Sequence, residues 1–106
     1  MNLLIVSATA FEIAPLLQHL QTKYIEHEPA HFHRGEQKIA ILITGVGMPL
    51  TAFAMGKVLA LKKYDLALNV GIAGSYNQEL ALGEVVEVRS DCFGDLGVEE
   101  ANGDFT

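Results

Sequence analysis

Cysteine, basic residues and long hydrophobic stretches are all scarce in this 106-residue sequence. Cys92 is the only cysteine, so an internal disulfide is excluded and metal binding through a thiol has little support. We interpret Cys92 as a small, semi-buried apolar residue. Only 7 lysines and arginines stand against 13 acidic residues, which gives a formal net charge of −6. Because nucleic-acid binding depends on basic patches that neutralise phosphates, this balance argues against a nucleic-acid partner.

The hydrophobic residues are distributed in short segments. They make up 50% of the sequence, yet no apolar run approaches the ~20 residues that a membrane span requires. The apolar residues 1–7 lack the basic region and the small-residue cleavage site of a signal peptide. We therefore expect a soluble cytoplasmic protein with no membrane partner. The length suits one small domain, residues 1–106, with a single core, and is too short for two domains.

The first half of the chain alternates between strand and helix patterns. NLLIVS at residues 2–7 predicts a buried strand, and apolar residues at helical spacing over residues 10–20 predict a helix. Pro15 must either lie in the first turn of that helix or kink it. Residues 23–28 are polar and predict a surface connection. Residues 31–34 and 37–43 predict an antiparallel hairpin around Gly35, with His31 and His33 on the polar face of an edge strand.

The three histidines at positions 27, 31 and 33 raise the alternative of a metal site. No cysteine or carboxylate stands near them at ligand spacing, so we favour an exposed strand face and predict no metal.

The second half contains two glycine loops. TGVGM at residues 44–48 precedes Pro49, which fits the first turn of a helix over residues 50–63. Free N–H groups at such a helix start suit an anion or a hydroxyl, although a purely structural turn is the alternative. The dinucleotide pattern GxGxxG is not met, because Leu50 stands at the third glycine position. LALNVGIAGS at residues 66–75 predicts a strand buried on both faces that ends in glycines.

The remaining residues are polar and less regular. GEVVEV at residues 83–88 predicts a strand with one wet face, and residues 89–106 predict an irregular, lid-like segment. Together these patterns predict an α/β fold, a three-layer αβα arrangement around a mixed, largely parallel sheet.

Three predicted strands end in small residues, and parallel neighbours would bring those ends to one edge of the sheet. Glu12 is the one carboxylate close to them. It would position a water or a sugar hydroxyl across a cleft, or would merely complement a helix dipole.

Residues 2–17, 43–55 and 66–88 together resemble the N-terminal half of the nucleoside phosphorylase and nucleosidase superfamily. Within it, GIAGS and the FGDLGVE stretch at residues 93–99 are most similar to the futalosine hydrolase family, which releases hypoxanthine from futalosine in menaquinone biosynthesis. The methylthioadenosine/S-adenosylhomocysteine nucleosidases are also similar. The resemblance implies hydrolysis of an N-glycosidic bond, a small-molecule nucleoside substrate, no cofactor and a homo-oligomer.

The resemblance also implies roles for individual residues. Glu12 matches the carboxylate that holds the attacking water. The substrate-binding positions implied are Thr9, Gly45, Val46, Gly47, Ile72, Ala73, Gly74 and Ser75. Many relatives carry serine at the position of Ile72, and the loss of that hydroxyl argues against a phosphorylase.

The resemblance further implies that this chain is a part of a domain about twice as long, which carries the purine-facing acid in its second half. We therefore expect little or no hydrolase activity from these 106 residues alone. The alternatives are a methylthioadenosine/S-adenosylhomocysteine nucleosidase and a non-catalytic nucleoside-binding or assembly fragment.

Overall fold

The computed structural model describes residues 1–94 and 97–106. The chain divides into two compact units, Met1–Gly74 and Ser75–Thr106. The first unit holds all the named helices and strands in the described residues: β1 (Asn2–Ser7), a 3-10 helix (Phe11–Ile13), α1 (Ala14–Lys23), β2 (Ile25–Glu28), β3 (His31–Arg34), β4 (Gln37–Ile43), α2 (Met48–Leu61) and β5 (Leu66–Asn69).

The strands form one mixed sheet in the order β2-β3-β4-β1-β5. β1 lies at its parallel centre and pairs with β4 on one side and with β5 on the other. β3 runs antiparallel to both β2 and β4. The predicted α/β class with a mixed sheet is confirmed, and the carboxyl ends of β4, β1 and β5 are neighbours.

The alternation of side chains along β1 divides the core into two layers. Ile5 packs with Ile13 and Leu20 from the 3-10 helix and α1 and with Phe32 of β3. Leu4 and Val6 face the other way and form a smaller cluster with Ala40, flanked by Met55 and Val58 of α2. The two helices therefore cover opposite faces of the sheet, which gives the predicted three layers.

Prolines lie in the first turn of both α-helices. The single helix predicted over residues 10–20 is instead a 3-10 helix followed by α1, which begins later, at Ala14, and ends at Lys23. Pro15 and Pro49 each occupy one of the first two helical positions, where the missing N–H removes no intrahelical bond. The helix expected over residues 50–63 begins slightly earlier, at Met48, and ends at Leu61.

Four expectations about strands are wrong. Residues 25–28, expected in a surface connection, form the exposed edge strand β2, whose polar sequence lacks the apolar alternation of a half-buried strand. Because β2 takes the edge, β3 with His31 and His33 lies inside the sheet. β5 is not buried on both faces: it spans only four residues, all exposed, and within the described part of the chain it pairs with β1 alone. Residues 83–88 form no strand, because in the structure described they pair with no other segment.

The second unit is largely irregular, as expected for residues 89–106. A β-bridge joins Glu99 to Phe105, and Cys92 is exposed rather than semi-buried. Residues 95 and 96, part of the FGDLGVE stretch, lie outside the described residues. Among the residues described, neither helix has the length and apolar character needed to cross a bilayer.

Candidate functional site

The loops that follow β1, β4 and β5 meet at one edge of the sheet. The backbone N–H groups of Thr44 and Gly45 donate to the carbonyls of Ser7 and Ala8, at 2.9 and 3.0 Å, and so carry the pairing of β1 and β4 into the loops. On the other side, the Val70 N–H donates to the Val6 carbonyl at 2.8 Å. The convergence of small-residue strand ends expected from the sequence is therefore present.

Glu12 connects two of these loops. Its Oε1 accepts a hydrogen bond from the Ile72 N–H at 3.1 Å, across 60 residues of sequence. Its Oε2 accepts from the Thr9 hydroxyl at 2.8 Å and from the Thr9 N–H at 3.1 Å. The Glu12 N–H in turn donates to Thr9 Oγ1 at 3.4 Å, so Thr9 and Glu12 make the reciprocal bonds of a capping box around the 3-10 helix.

These hydrogen bonds favour the ionised form of the Glu12 carboxylate. The Ile72 N–H contributes most to lowering the pKa of Glu12 below its ordinary value, the Thr9 hydroxyl adds to it, and partial desolvation opposes both. A carboxylate has about four lone-pair sites, of which Thr9 occupies the two on Oε2 and Ile72 one on Oε1. Glu12 is thus held ionised, with room on Oε1 for one further hydrogen bond.

Gly71 makes this approach sterically possible. A Cβ atom at position 71 would lie 2.8 Å from Glu12 Oε1, closer than any ordinary contact. The sequence predicts glycines at the end of the β5 strand and a substrate-binding role for Thr9. The signal for the Thr9–Glu12 bonds was present in the sequence as the T-x-x-E spacing of a capping box. No local pattern signals the role of Gly71, because its partner is distant in the chain.

The loop after β4 requires its glycines. Gly45 and Gly47 have φ angles of +87° and +102°, a region that side chains disfavour. Gly47 is the N-cap residue of α2 and has no side chain to cap the helix. The N–H groups of the first helical turn therefore receive no hydrogen bond from an N-cap side chain. Thr51 Oγ1 donates to the Gly47 carbonyl at 2.9 Å and braces the loop. Val46, between these two glycines, is 72% exposed to solvent.

The loop after β5 holds the remaining predicted positions. Ile72 contributes its N–H to Glu12 and exposes 81% of its surface, while Ala73 and Gly74 are also exposed. Ser75 begins the second unit. Its hydroxyl bonds locally, accepting from the Asn77 N–H and donating to the Asn77 carbonyl, both at 3.0 Å.

Charge and metal ligands are sparse in these loops. Residues 7–12, 44–47 and 70–74 contain no lysine or arginine, and Glu12 is their only charged residue. In the described part of the chain, no group of three or more histidine, cysteine or acidic side chains is arranged to hold a metal ion. The arrangement offers a fixed negative charge, open backbone and apolar surface.

Comparison with known proteins agrees with this geometry. Residues 2–98 match the sequence profile of the phosphorylase superfamily. The chain belongs to this superfamily. It is also 30% identical over 86 residues to the 5'-methylthioadenosine/S-adenosylhomocysteine nucleosidase of Chromohalobacter salexigens. That alignment covers 77% of this chain and 37% of the relative, so the chain spans well under half of the relative's length. No solved structure matches the chain significantly.

Proposed function

We propose that this phosphorylase-superfamily chain contributes one wall of a nucleosidase active site, in which water cleaves the N-glycosidic bond of a purine nucleoside. The observation that carries the proposal is Glu12, ionised, fixed by three hydrogen bonds and left with one acceptor site on Oε1. A water bound at that site would be oriented by the carboxylate and aimed at the anomeric carbon of a bound ribose.

The lowered pKa of Glu12 defines its part in this chemistry. A carboxylate with a depressed pKa is a weak base, so it serves mainly to orient the water and to stabilise positive charge developing on the sugar. It accepts the water's proton only as the new carbon–oxygen bond forms.

The charge of the three loops favours water over phosphate as the attacking group. A phosphate anion would meet the Glu12 carboxylate with no lysine or arginine on these segments to compensate. The apolar side chain of Ile72, where many relatives carry serine, also offers no hydroxyl to a phosphate. Exposed apolar groups, Val46 and Ile72, instead suit the faces of a sugar and a base.

Two candidate substrate classes are each supported by a separate observation. Futalosine is the first, because GIAGS and the FGDLGVE stretch resemble the futalosine hydrolase family. Methylthioadenosine or S-adenosylhomocysteine is the second, because the curated relative carries those names. Homo-oligomer formation and a cytoplasmic location remain predictions.

The test uses the protein encoded by the complete reading frame. Purine release from futalosine, methylthioadenosine and S-adenosylhomocysteine is followed by chromatography, with and without phosphate. We expect Glu12→Gln to lower kcat by roughly 100-fold or more, as for removal of one preorganised electrostatic group. Glu36→Gln, the same chemical change in the β3–β4 turn, is the matched control. Full activity in Glu12→Gln, or strict dependence on phosphate, would contradict the proposal.

A further inference from the structure

A cleft lies at the opposite end of the parallel strands from Glu12. It is a cavity of about 370 Å³ whose lining includes Asn2 at the start of β1, Lys38 at the start of β4, and Lys62 and Lys63 in the segment before β5. The volume falls within the range of small-molecule sites. Its position at the amino ends of these strands separates it from the loops that carry Glu12.

The cleft is positively charged in a negatively charged chain. Three lysines line it against one carboxylate, that of Glu28, whereas the whole chain has a formal charge of −6. Glu28 lies 3.8 Å from His27 Nε2. Within residues 1–94 and 97–106, none of the three lysines forms an ion pair. The nearby Asp65 carboxylate accepts the Asn2 N–H at 2.6 Å instead. Three lysines therefore line the cavity against the single carboxylate of Glu28, which leaves an excess of positive charge in its lining.

Two histidines also lie in the same wall, and the Nδ1 atom of each is engaged by a neighbouring group of the chain. His27 and His31 line the cavity, and His27 Nδ1 lies 3.0 Å from His33 Nδ1, so one of these two rings holds a hydrogen between them. His31 Nδ1 lies 2.9 Å from the Pro29 carbonyl and donates to it, since a carbonyl only accepts. The half-buried Tyr64 supplies an aromatic surface beside Lys63.

We propose that this cleft binds a small phosphate-bearing anion with two or more negative charges. Lysine ammonium groups are point-charge donors suited to phosphate oxygens, and three of them match a diphosphate better than a single carboxylate. The proposal concerns a different end of the sheet and does not depend on the nucleosidase function.

The test is calorimetric titration of the 106-residue chain with inorganic pyrophosphate at constant ionic strength. We expect saturable binding in the range below a few millimolar. Replacing Lys62 and Lys63 together with glutamine should weaken that binding at least tenfold. The control replaces Lys23 and Lys57 with glutamine, which makes the same change in net charge on α1 and α2 and should alter binding by less than twofold. Circular dichroism checks the fold of both variants.

Three outcomes would overturn the proposal. They are the absence of saturable binding, equal weakening in the two double variants, and binding only when zinc is added, which would indicate metal capture by His27 and His33. Adenosine diphosphate, titrated in parallel, distinguishes the source of the phosphate. Tighter binding than pyrophosphate indicates a nucleotide that also stacks on Tyr64, and equal binding indicates recognition of the diphosphate alone.

Discussion

Substitution of Gly71 by alanine tests the link between the β5 loop and Glu12. The added Cβ would lie 2.8 Å from Glu12 Oε1, whereas ordinary contact begins at 3.4 Å, so the carboxylate must retreat by about 0.6 Å. A retreat away from the loop lengthens the 3.1 Å bond from the Ile72 N–H to about 3.7 Å, beyond hydrogen-bonding distance. Glu12 then loses the interaction that lowers its pKa most.

The substitution should change the position and the pKa of the Glu12 carboxylate but have little effect on the free energy of unfolding. Gly71 does not have a positive φ, so alanine is compatible with the backbone and the free energy of unfolding should shift by no more than ~1 kcal/mol. The pKa of Glu12 should rise toward its ordinary value. If Glu12 orients the water, displacement on this scale should lower kcat by roughly 100-fold.

Two measurements follow these effects separately. An NMR titration of the Glu12 carboxyl carbon in the 106-residue chain gives the pKa, and the purine-release assay on the complete gene product gives kcat. Gly56→Ala in α2, where an added Cβ has nothing within 4 Å, is the control and should change neither quantity. An unchanged Glu12 pKa in Gly71→Ala would refute the geometric reasoning, whereas a raised pKa with full activity would refute the role of Glu12 in catalysis.

Three further substitutions test other parts of the structure. Thr9→Val removes the hydroxyl that donates to Glu12 at 2.8 Å, so the pKa of Glu12 should rise and kcat should fall about tenfold, with recovery in Thr9→Ser. Glu12→Gln should destabilise the fold at pH 6 but progressively less below the ordinary carboxyl pKa of 4.5, because a lowered pKa stabilises the folded state only while the group is ionised. Urea unfolding at pH 6 and at pH 3 measures this difference. An equal loss of stability at both pH values would contradict the prediction. Phe32→Ala should lower the free energy of unfolding, measured in urea, by about 3–5 kcal/mol, because Phe32 is only 1% exposed. Phe11→Ala should lower it by less than about 0.5 kcal/mol, because Phe11 is 86% exposed.

The elements that local patterns determine were predictable from the sequence. β1 and β4 are apolar runs that end at polar or small residues, and Pro49 lies in the first turn of α2, so periodicity and N-terminal signals located them. The apolar spacing also located the first helix, although α1 itself begins later than predicted. These predictions succeeded because each rests on residues close together in sequence. The convergence of the three strand ends followed from the parallel arrangement.

The errors occur where burial depends on a distant neighbour. The apolar sequence of β5 would fit a central strand, but its position beside β1 leaves its other edge unpaired and its residues exposed. β2 shows the opposite case: its polar sequence does not predict a strand, and it forms one because it pairs with β3. The strand predicted at residues 83–88 had the alternation but, in the described structure, no partner to complete it.

The same distinction applies to the candidate site. A single carboxylate near small-residue loops was visible in the sequence, and its T-x-x-E spacing signalled the two hydrogen bonds from Thr9. The third comes from Ile72, 60 residues away, and depends on Gly71 leaving space for Oε1. That distant bond makes Glu12 a connection between two loops of the candidate site rather than a capping residue within one turn. A loss of stability of no more than ~1 kcal/mol in Gly71→Ala, together with a roughly 100-fold loss of kcat, would show that the bond acts mainly to place the carboxylate.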